Sequence, residues 1–341
     1  MRYAFYLKTH SNARYQQSMV RLAEKELQCL LFAKGMDFHA VHLQEIAGET
    51  FLVAQLPDEI SPPDWRAISR ASCVSFAAEM TDDGLLRPLV RPMPQAVVEP
   101  DMPHILKYKG KTNPDFTLLM LHCARAASAF TDTEETLTVL DPMCSRGTTL
   151  FCALSEGYHA IGLEPDGKAN AEGQQFTEHY LEWHRLKYRK TGQSRTLRAG
   201  GAVRMNEYHI ARDAAAMKEN HQQTLQWLET DAAFADQVLK PGVPQLLVCD
   251  LPYGVQHAPR NGKKAIGLEE MLKGVLPACA GVLANGGACA FSFNINTLRR
   301  QTLIRLLTES GLIPLTEPPF DDFEHWVEQA VTRDLVVARK P

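Results

Sequence analysis

The hydrophobic pattern of the first eighty residues predicts a small α+β unit. "RYAFYL" alternates between the two faces of a strand, and apolar residues recur at helical spacing from Met19 to Leu30. "TFLVAQL" predicts a second strand. "DWRAISRASCVSFAAEM" predicts a helix with Asp64 near its start.

Prolines mark the end of this unit. "LLRPLVRPMPQAVVEPDMPHI" carries five prolines between Pro88 and Pro103, which exclude a long helix and predict an extended linker. We therefore expect an N-terminal α+β domain at residues 1–86 that is a candidate for RNA binding, a proline-rich linker at 87–103 and a second domain at 104–341.

Strand and helix patterns alternate beyond the linker. "NPDFTLLMLHCARAASAF" is apolar on most faces and predicts a buried helix. Strands are then predicted at "LTVLD", "HAIGLE", "TLQWLETD", "QLLVCD" and "GACAFSF", with helices between them, one of which runs to about Lys190. Such alternation predicts an α/β fold with a mostly parallel sheet. The last two apolar runs, "HWVEQAV" and "DLVVARK", are separated by a turn too short for a crossover, so they should pair antiparallel.

Composition narrows the class of protein. The 341 residues are 45% hydrophobic and 22% charged with a formal net charge of -4, so a nucleic-acid surface must be a local basic patch. No apolar run reaches membrane-spanning length, and "MRYAFYLKTH" lacks a signal-peptide layout, so we expect a cytoplasmic protein without a membrane partner. The eight cysteines form no C-x-x-C pair, which predicts reduced thiols and no metal site.

Four predicted strands in succession end in an acid. Ligands of open α/β sheets sit at the carboxyl ends of the strands, where Asp141, Glu164, Asp231 and Asp250 should meet. A single such acid is most simply a helix cap or a turn residue, but four in succession indicate a binding edge.

These acids suit S-adenosylmethionine. Asp141 would meet its positively charged methionine end, Glu164 would accept hydrogen bonds from the ribose hydroxyls, and Asp231 would accept the adenine amino group. Gly147 would let the backbone approach the ligand before a helix N-terminus. The expected cofactor-binding residues are Asp141, Pro142, Met143, Cys144, Ser145, Gly147, Thr148, Glu164, Pro165, Asp231 and Ala232.

The stretch "CDLPYG" suits chemistry on an exocyclic amino group. The nitrogen lone pair of such a group is delocalised into the ring, so a site must localise it before it attacks a methyl sulfonium. Asp250 and the carbonyl of Leu251 would hold the two amino hydrogens, and Asp250 is placed to receive the released proton. Pro252 would stiffen the turn, and Tyr253 would stack on the base. These four are the expected catalytic residues, although "DLPYG" alone also fits a plain β-turn.

"DPMCSRGT", "GLEPD" and "CDLPYG" together resemble the class I S-adenosylmethionine-dependent methyltransferases that modify exocyclic amino groups. They are most similar to the RNA guanine-N2 methyltransferase group that includes the tRNA guanosine-10 enzymes. The resemblance runs from Pro103 to the C-terminus and includes the lead-in "HILKYKGKTNPDFTLLM". It implies a Rossmann-like fold with a seven-stranded sheet and an antiparallel last strand, S-adenosylmethionine as cofactor, and guanine N2 in tRNA as target.

Two features depart from that family. Glycine is usual where Ser145 stands, which bears on the geometry of the cofactor loop. The family's tRNA enzymes also carry an RNA-binding THUMP module, and the residues before the linker are too few for that module and its ferredoxin-like companion. The N-terminal unit resembles the companion alone, so the tRNA position is not implied.

Three basic segments predict a polyanionic partner. Residues 183–204 contain seven Lys or Arg and no acid, and we expect a partly flexible loop there; "KYKGK" and "HAPRNGKK" are the other two segments. If the three converge on one pocket, RNA is the expected partner, whereas a solvated helix end is the simpler interpretation of the longest segment. The expected substrate-binding residues are Lys107, Lys109, Lys111, Arg185, Lys187, Arg189 and His257.

Several alternatives stay open at this point. Adenine-N6 methylation of DNA or RNA uses a similar motif and is the runner-up. A catalytically silent RNA-binding protein is disfavoured by the intact "DLPY", and protein glutamine methylation by the basic segments. Methylation of a ring carbon would need a thiolate from Cys144 or Cys249, but Cys249 should point away from the face of Asp250. A homodimer is also left open.

Overall fold

The structure is a computed structural model, and it describes residues 1–9, 13–198, 200–253, 260–261, 264–265 and 267–341. The helices are α1 Ala13–Ala33, α2 Pro62–Ile68, α3 Met102–Ile105, α4 Pro114–Ala127, α5 Thr148–Ser155, α6 Gly167–Trp183, α7 Ala214–Lys218, α8 Ala235–Val238, α9 Leu268–Val282 and α10 Arg300–Glu309. Short 3-10 turns lie at Phe38–Ala40 and Ala232–Phe234.

The strands complete the secondary structure of the described residues. They are β1 Arg2–Leu7, β2 Val41–Ile46, β3 Glu49–Gln55, β4 Val74–Met80, β5 Leu86–Pro88, β6 Thr138–Asp141, β7 His159–Leu163, β8 Lys187–Thr196, β9 Ala202–Ala211, β10 Gln223–Glu229, β11 Leu246–Asp250, β12 Arg260–Asn261, β13 Lys264–Ala265, β14 Ala288–Asn294, β15 Ile313–Pro314, β16 His325–Glu328 and β17 Val331–Arg339.

The N-terminal unit is an antiparallel sheet with strand order β2-β3-β1-β4-β5. From β1 to β4 its elements follow the strand-helix-strand-strand-helix-strand order of a ferredoxin-like unit. The helix expected over residues 64–80 is wrong: α2 ends at Ile68, a turn follows, and the last seven residues of that stretch form β4, Val74–Met80. In β4 the fully buried Val74, Ala77 and Ala78 pair with β1, and this tertiary pairing outweighs helix propensity.

The large sheet has the order β15-β17-β14-β11-β6-β7-β10-β9-β8, with β16 paired to β17. Strands β6, β7, β10, β11 and β14 are parallel, and β17 runs antiparallel to β14 and to β16. The prediction of a mostly parallel α/β sheet with an antiparallel last strand is therefore confirmed. Within the part of the chain that the structure describes, this sheet has ten strands, whereas the family resemblance implied seven.

The extra strands include a long hairpin at one edge. Strands β8 and β9 pair along ten residues each, and β9 extends the sheet from β10. Two predictions are therefore corrected: α6 ends at Trp183 instead of near Lys190, and most of the basic segment 183–204 is strand rather than loop. The local pattern could not show that β10 offers a free edge, which the hairpin fills.

The N-terminal unit packs against the large sheet through α1 and α4. One cluster of buried hydrophobic residues joins Phe5 and Leu27 of the first unit to Phe116 and Val139 of the second. The pairs Lys25–Asp321 and Lys8–Asp115 also cross this interface, at 2.9 and 2.6 Å. Of the helices described, none is long and apolar enough to cross a membrane.

Candidate active site

The four strand-end acids lie at one edge of the large sheet. Asp141 and Asp250 are the last residues of β6 and β11, Glu164 directly follows β7, and Asp231 comes two residues after β10. Because these strands are parallel, their carboxyl ends share this edge. The sequence prediction that these acids meet at one edge agrees with the sheet.

Asp141 is a buried carboxylate beneath the loop that follows β6. It is 3% exposed, and its Oδ1 accepts the backbone N–H of Met143 at 3.0 Å. Burial raises the pKa of Asp141 to about 7; hydrogen bonds from Thr149 and Met143 oppose that shift, and the charges of Asp250 and Glu164 add to it. A cation bound beside Asp141 would relieve this cost by favouring the ionised form.

Glu164 holds the same loop from the neighbouring strand. Its two oxygens accept the backbone N–H groups of Ser145 and Asp166 at 2.9 and 2.8 Å. Burial raises the pKa of Glu164, and these two hydrogen bonds lower it. Ser145 adopts a φ of 47°, in the left-handed region where glycine is favoured, which gives a physical reason for the glycine that the resembling family has there.

Gly147 lies where the turn into α5 packs closely on aromatic rings. Its φ is 91°, and a Cβ there would lie 2.5 Å from the ring of Trp227 and 3.1 Å from that of Phe151. Gly147 therefore permits the turn into α5 to pack on the buried Trp227, and its predicted contact with the cofactor stays a prediction.

The remaining predicted cofactor residues surround these acids. Pro142, Cys144 and Thr148 are buried in the turn and the first position of α5, while Met143 is half-buried and Pro165 is exposed. Asp231 is exposed and caps the Ala232–Phe234 turn, since its Oδ1 accepts the N–H of Ala233 at 2.8 Å.

Asp250 lies at the centre of a cluster of hydroxyl groups. Its Oδ1 accepts hydrogen bonds from Tyr253 at 2.6 Å and Ser292 at 2.7 Å, and its Oδ2 accepts one from Thr112. The guanidinium of Arg333 lies 3.8 Å from Oδ2. Such preorganised donors hold the carboxylate in one orientation at the strand end, as a catalytic acceptor requires.

Arg333 connects this cluster to the hydrophobic core. The side chain is 5% exposed, its guanidinium lies 4.6 Å from the ring centre of Phe116, and its Nε donates to the Tyr253 hydroxyl at 2.5 Å. Burial alone would lower the pKa of Arg333, but the adjacent carboxylate of Asp250 raises it. The guanidinium is therefore a permanent positive charge beside Asp250.

Sequence reasoning missed Thr112, Ser292 and Arg333. Thr112 precedes the helix cap Asn113 in the lead-in to α4, Ser292 pairs with Asp250 across β11 and β14, and Arg333 lies near the start of β17. Ser292 could have been found from the sequence, because it lies near the end of a predicted strand that pairs in parallel with the strand ending at Asp250. Thr112 and Arg333 lie 138 and 80–83 positions from the motif residues they contact, and no local pattern relates them.

The cysteines behave as core residues. All eight are free and buried, and burial raises the pKa of the Cys144 and Cys249 thiols well above the ordinary value. A thiolate nucleophile needs the opposite shift, so methylation through either cysteine is disfavoured. The described residues include no group of His, Cys, Asp and Glu arranged to hold a metal ion.

The predicted convergence of the basic segments is corrected by the sheet register. Lys187 pairs with the end of β9, and Ile210 of β9 pairs with Gln223 at the start of β10. Arg185, Lys187 and Arg189 therefore lie at the amino edge of β10, opposite Asp250. His257 lies outside the described residues, as do most of the residues of "HAPRNGKK".

The segment "KYKGK" does lie beside the site. The Tyr108 hydroxyl is 2.8 Å from Oγ1 of Thr148, and Lys107 and Lys109 flank it with exposed side chains. Lys111 is already engaged, because its ammonium donates to the carbonyls of Pro103 and Leu106 at 2.6 Å each. Only the first two lysines of this segment face solvent with their charge available for a ligand.

No protein-family model matches the chain, and no curated protein matches its sequence. Many solved structures are similar. A magnesium protoporphyrin IX methyltransferase from Synechocystis, solved with S-adenosylmethionine, shows 13% identity and a TM-score of 0.40, over 71% of this chain and 90% of that one. A TehB-like methyltransferase from Corynebacterium glutamicum shows 13% identity and a TM-score of 0.35, over 62% and 84%.

An rRNA methylase from Streptococcus thermophilus is also similar, with 9% identity and a TM-score of 0.36, over 67% of this chain and 98% of that one. At these scores the likenesses carry no argument about the activity or the substrate of this chain.

Proposed function

We propose that this protein is an S-adenosylmethionine-dependent methyltransferase that acts on an exocyclic amino group of a nucleobase in RNA, with guanine N2 in tRNA as the preferred target. The observation that carries the proposal is Asp250, a carboxylate at the strand end of the "DLPY" motif that accepts hydrogen bonds from three hydroxyl groups and lies beside the cation of Arg333. It shares its sheet edge with Asp141 and Glu164.

The cofactor part of the proposal rests on charge. S-adenosylmethionine brings a sulfonium and an ammonium, and the edge supplies buried acids that are costly to ionise without a cation. Its ribose hydroxyls would replace the backbone N–H of Ser145 as donors to Glu164. The cofactor would supply an activated methyl group, while Asp250 would orient the accepting amino group.

The RNA part rests on Lys107 and Lys109. These exposed cations lie shortly before Thr112, which contacts Asp250, so phosphates of a bound RNA would lie close to the reacting base. Tyr253 offers the ring on which an extruded base would stack.

The direct experiment is transfer of labelled methyl to unmodified total RNA, followed by digestion to nucleosides. Label in N2-methylguanosine is expected. Label in N6-methyladenosine would replace the target with the runner-up, adenine N6, and no transfer to RNA would contradict the proposal.

Substitution of Glu164 should weaken cofactor binding. In Glu164→Ala the ribose loses its charged acceptor, and a hydrogen bond to a charged group is worth about 1.5 to 3 kcal/mol. We expect about a tenfold or larger loss of S-adenosylmethionine affinity by calorimetry.

The affinity of the wild type for S-adenosylmethionine should also fall as the pH drops below about 7, because protonation of Asp141 removes its negative charge.

Asp213→Asn is the control for this experiment. Asp213 is an exposed helix cap at the amino edge of β10, and asparagine caps equally well. Binding of NAD with no binding of S-adenosylmethionine would contradict the cofactor assignment.

Charge reversal at Lys107 and Lys109 should weaken RNA binding. Each lysine that contacts a phosphate contributes about one unit to the slope of log affinity against log salt. We expect the double variant Lys107→Glu/Lys109→Glu to reduce that slope by about 2 in a salt titration with total tRNA.

The matched control reverses two exposed cations at the opposite edge. Lys187→Glu/Arg189→Glu changes the net charge by the same amount, and its salt slope should equal that of the wild type. Equal slopes in the two double variants would remove the support that "KYKGK" gives to RNA binding.

A further inference from the structure

One hydroxyl bridges the two charged groups of the site. The Tyr253 hydroxyl donates to Asp250 Oδ1 at 2.6 Å and accepts from Arg333 Nε at 2.5 Å. Burial and the charge of Asp250 keep the pKa of Tyr253 high, so the phenol stays protonated and remains a donor. The Tyr253 hydroxyl oxygen is thus the hydrogen-bond partner of both the Asp250 carboxylate and the Arg333 guanidinium.

The other partners of Asp250 are anchored elsewhere. Ser292 is fully buried on β14, and Arg333 lies against the buried ring of Phe116. Thr112 precedes Asn113, whose side chain both caps α4 and donates to Tyr15 of α1 at 3.0 Å. Tyr253 instead lies beyond the end of β11, so its hydroxyl is the partner that a ligand can displace.

We propose that the substrate displaces the Tyr253 hydroxyl and takes over both of its partners, which rests on the proposed function. The amino group donates to Asp250 Oδ1, and an acceptor atom next to it on the same edge receives the Nε–H of Arg333. Arg333 is then a specificity-determining residue, and the substrate class is a base with an amino group adjacent to an unprotonated ring nitrogen.

This pairing selects one edge of guanine. The N1–H and N2 groups are two donors, so binding through this edge would place N1–H against the Nε–H donor of Arg333 and leave both donors without an acceptor. The other side of the amino group presents N3, an acceptor that matches Arg333. For adenine the corresponding pair, an amino nitrogen and a ring nitrogen bonded to the same carbon, is N6 with N1.

The test measures binding of guanosine 5′-monophosphate and its 3-deaza analogue, with adenosine 5′-monophosphate and its 1-deaza analogue as the adenine pair. The deaza analogues lack only the acceptor. We expect the wild type to bind one parent nucleotide about tenfold more tightly than its analogue, since a hydrogen bond from a charged donor is lost. The parent that shows this preference identifies the base.

Three variants of the full chain complete the test. Tyr253→Phe keeps the ring but removes the displaced hydroxyl, so it should bind the parent nucleotide several-fold more tightly. Tyr6→Phe is the matched control, because its hydroxyl also donates to a carboxylate, Glu49 at 3.0 Å, far from the site. Arg333→Lys keeps the charge without the planar Nε–H, so it should bind parent and analogue equally.

Equal binding of parent and analogue by the wild type, or an affinity of Tyr253→Phe that equals the wild-type affinity, would overturn the inference. Neither of these two comparisons uses an Arg333 variant, so the inference can be tested even if Arg333→Lys fails to fold. Since nucleotide binding is measured without methyl transfer, its failure is distinguishable from failure of the proposed function in the labelled-methyl assay.

Discussion

Asp250→Asn should lose about 100-fold or more in methyl-transfer rate while the protein still folds and binds S-adenosylmethionine. Asparagine keeps one acceptor oxygen but removes the negative charge, and loss of one preorganised electrostatic group typically has this magnitude. The amide would also present a donor to one of the three hydroxyls that now donate to Asp250. The measurement is labelled-methyl transfer to RNA under single-turnover conditions.

Two controls accompany this variant. Calorimetry with S-adenosylmethionine and a thermal melt separate a catalytic loss from a folding loss, which matters because Arg333 would be left beside a neutral group. Asp213→Asn makes the same chemical change at the distant edge and should keep the wild-type rate. Full activity in Asp250→Asn would show that the catalytic centre is wrongly assigned.

His122→Leu should lower the free energy of unfolding by roughly 3 to 5 kcal/mol, the usual cost of removing one member of a buried ion pair. His122 on α4 contacts Glu26 of α1 at 2.6 Å and Glu156 at 3.3 Å, and Glu26 is fully buried. Arg70, from the N-terminal unit, pairs with Glu156 at 3.1 Å. The network therefore joins the two units, and the variant removes the imidazole that contacts the buried Glu26 carboxylate.

The stabilisation that His122 contributes should depend on pH. Burial alone would lower the pKa of His122, but its hydrogen bonds to Glu156 and Glu26 raise it from 6.5 to about 9. The stabilisation from the charged imidazole is thus complete below about pH 6.5 and is lost as the pH rises through 9. Denaturant unfolding between pH 6 and 10 should show this loss in the wild type and not in His122→Leu.

His221→Leu is the matched control, because His221 is a largely exposed histidine whose loss should hardly change stability. The same pH dependence in His122→Leu and in the wild type would show that His122 is not the titrating group.

Sequence patterns were sufficient for most of the large sheet. Apolar runs followed by an acid predicted β6, β7 and β11, because a strand buried on both faces has a continuous apolar signature and its polar end lies at the edge. The same strand-end pattern predicts Asp141, Glu164 and Asp250 from the sequence alone. The turn motif of Asp250 with proline and tyrosine is the reason that the proposed catalytic centre lies there.

Local patterns failed where distant pairing decides the structure. Residues 74–80 have small residues that suit a helix, yet they pair with β1 as β4. The basic segment 183–204 has the composition of a loop, yet it pairs with itself and with the free edge of β10. In both cases the backbone hydrogen bonds of a sheet edge outweigh the local preference.

The sequence by itself determined the strand-end acids and the type of chemistry they suit, since those depend on residues close together in the chain. Only the tertiary structure decided which donors hold Asp250 and which cations face it. Thr112 contacts the carboxylate from the lead-in to α4, Ser292 from β14 and Arg333 from β17. Lys187 lies at the opposite edge because of the direction of β8. Side-chain distances across a sheet follow from strand order and register, which the order of residues along the chain does not contain.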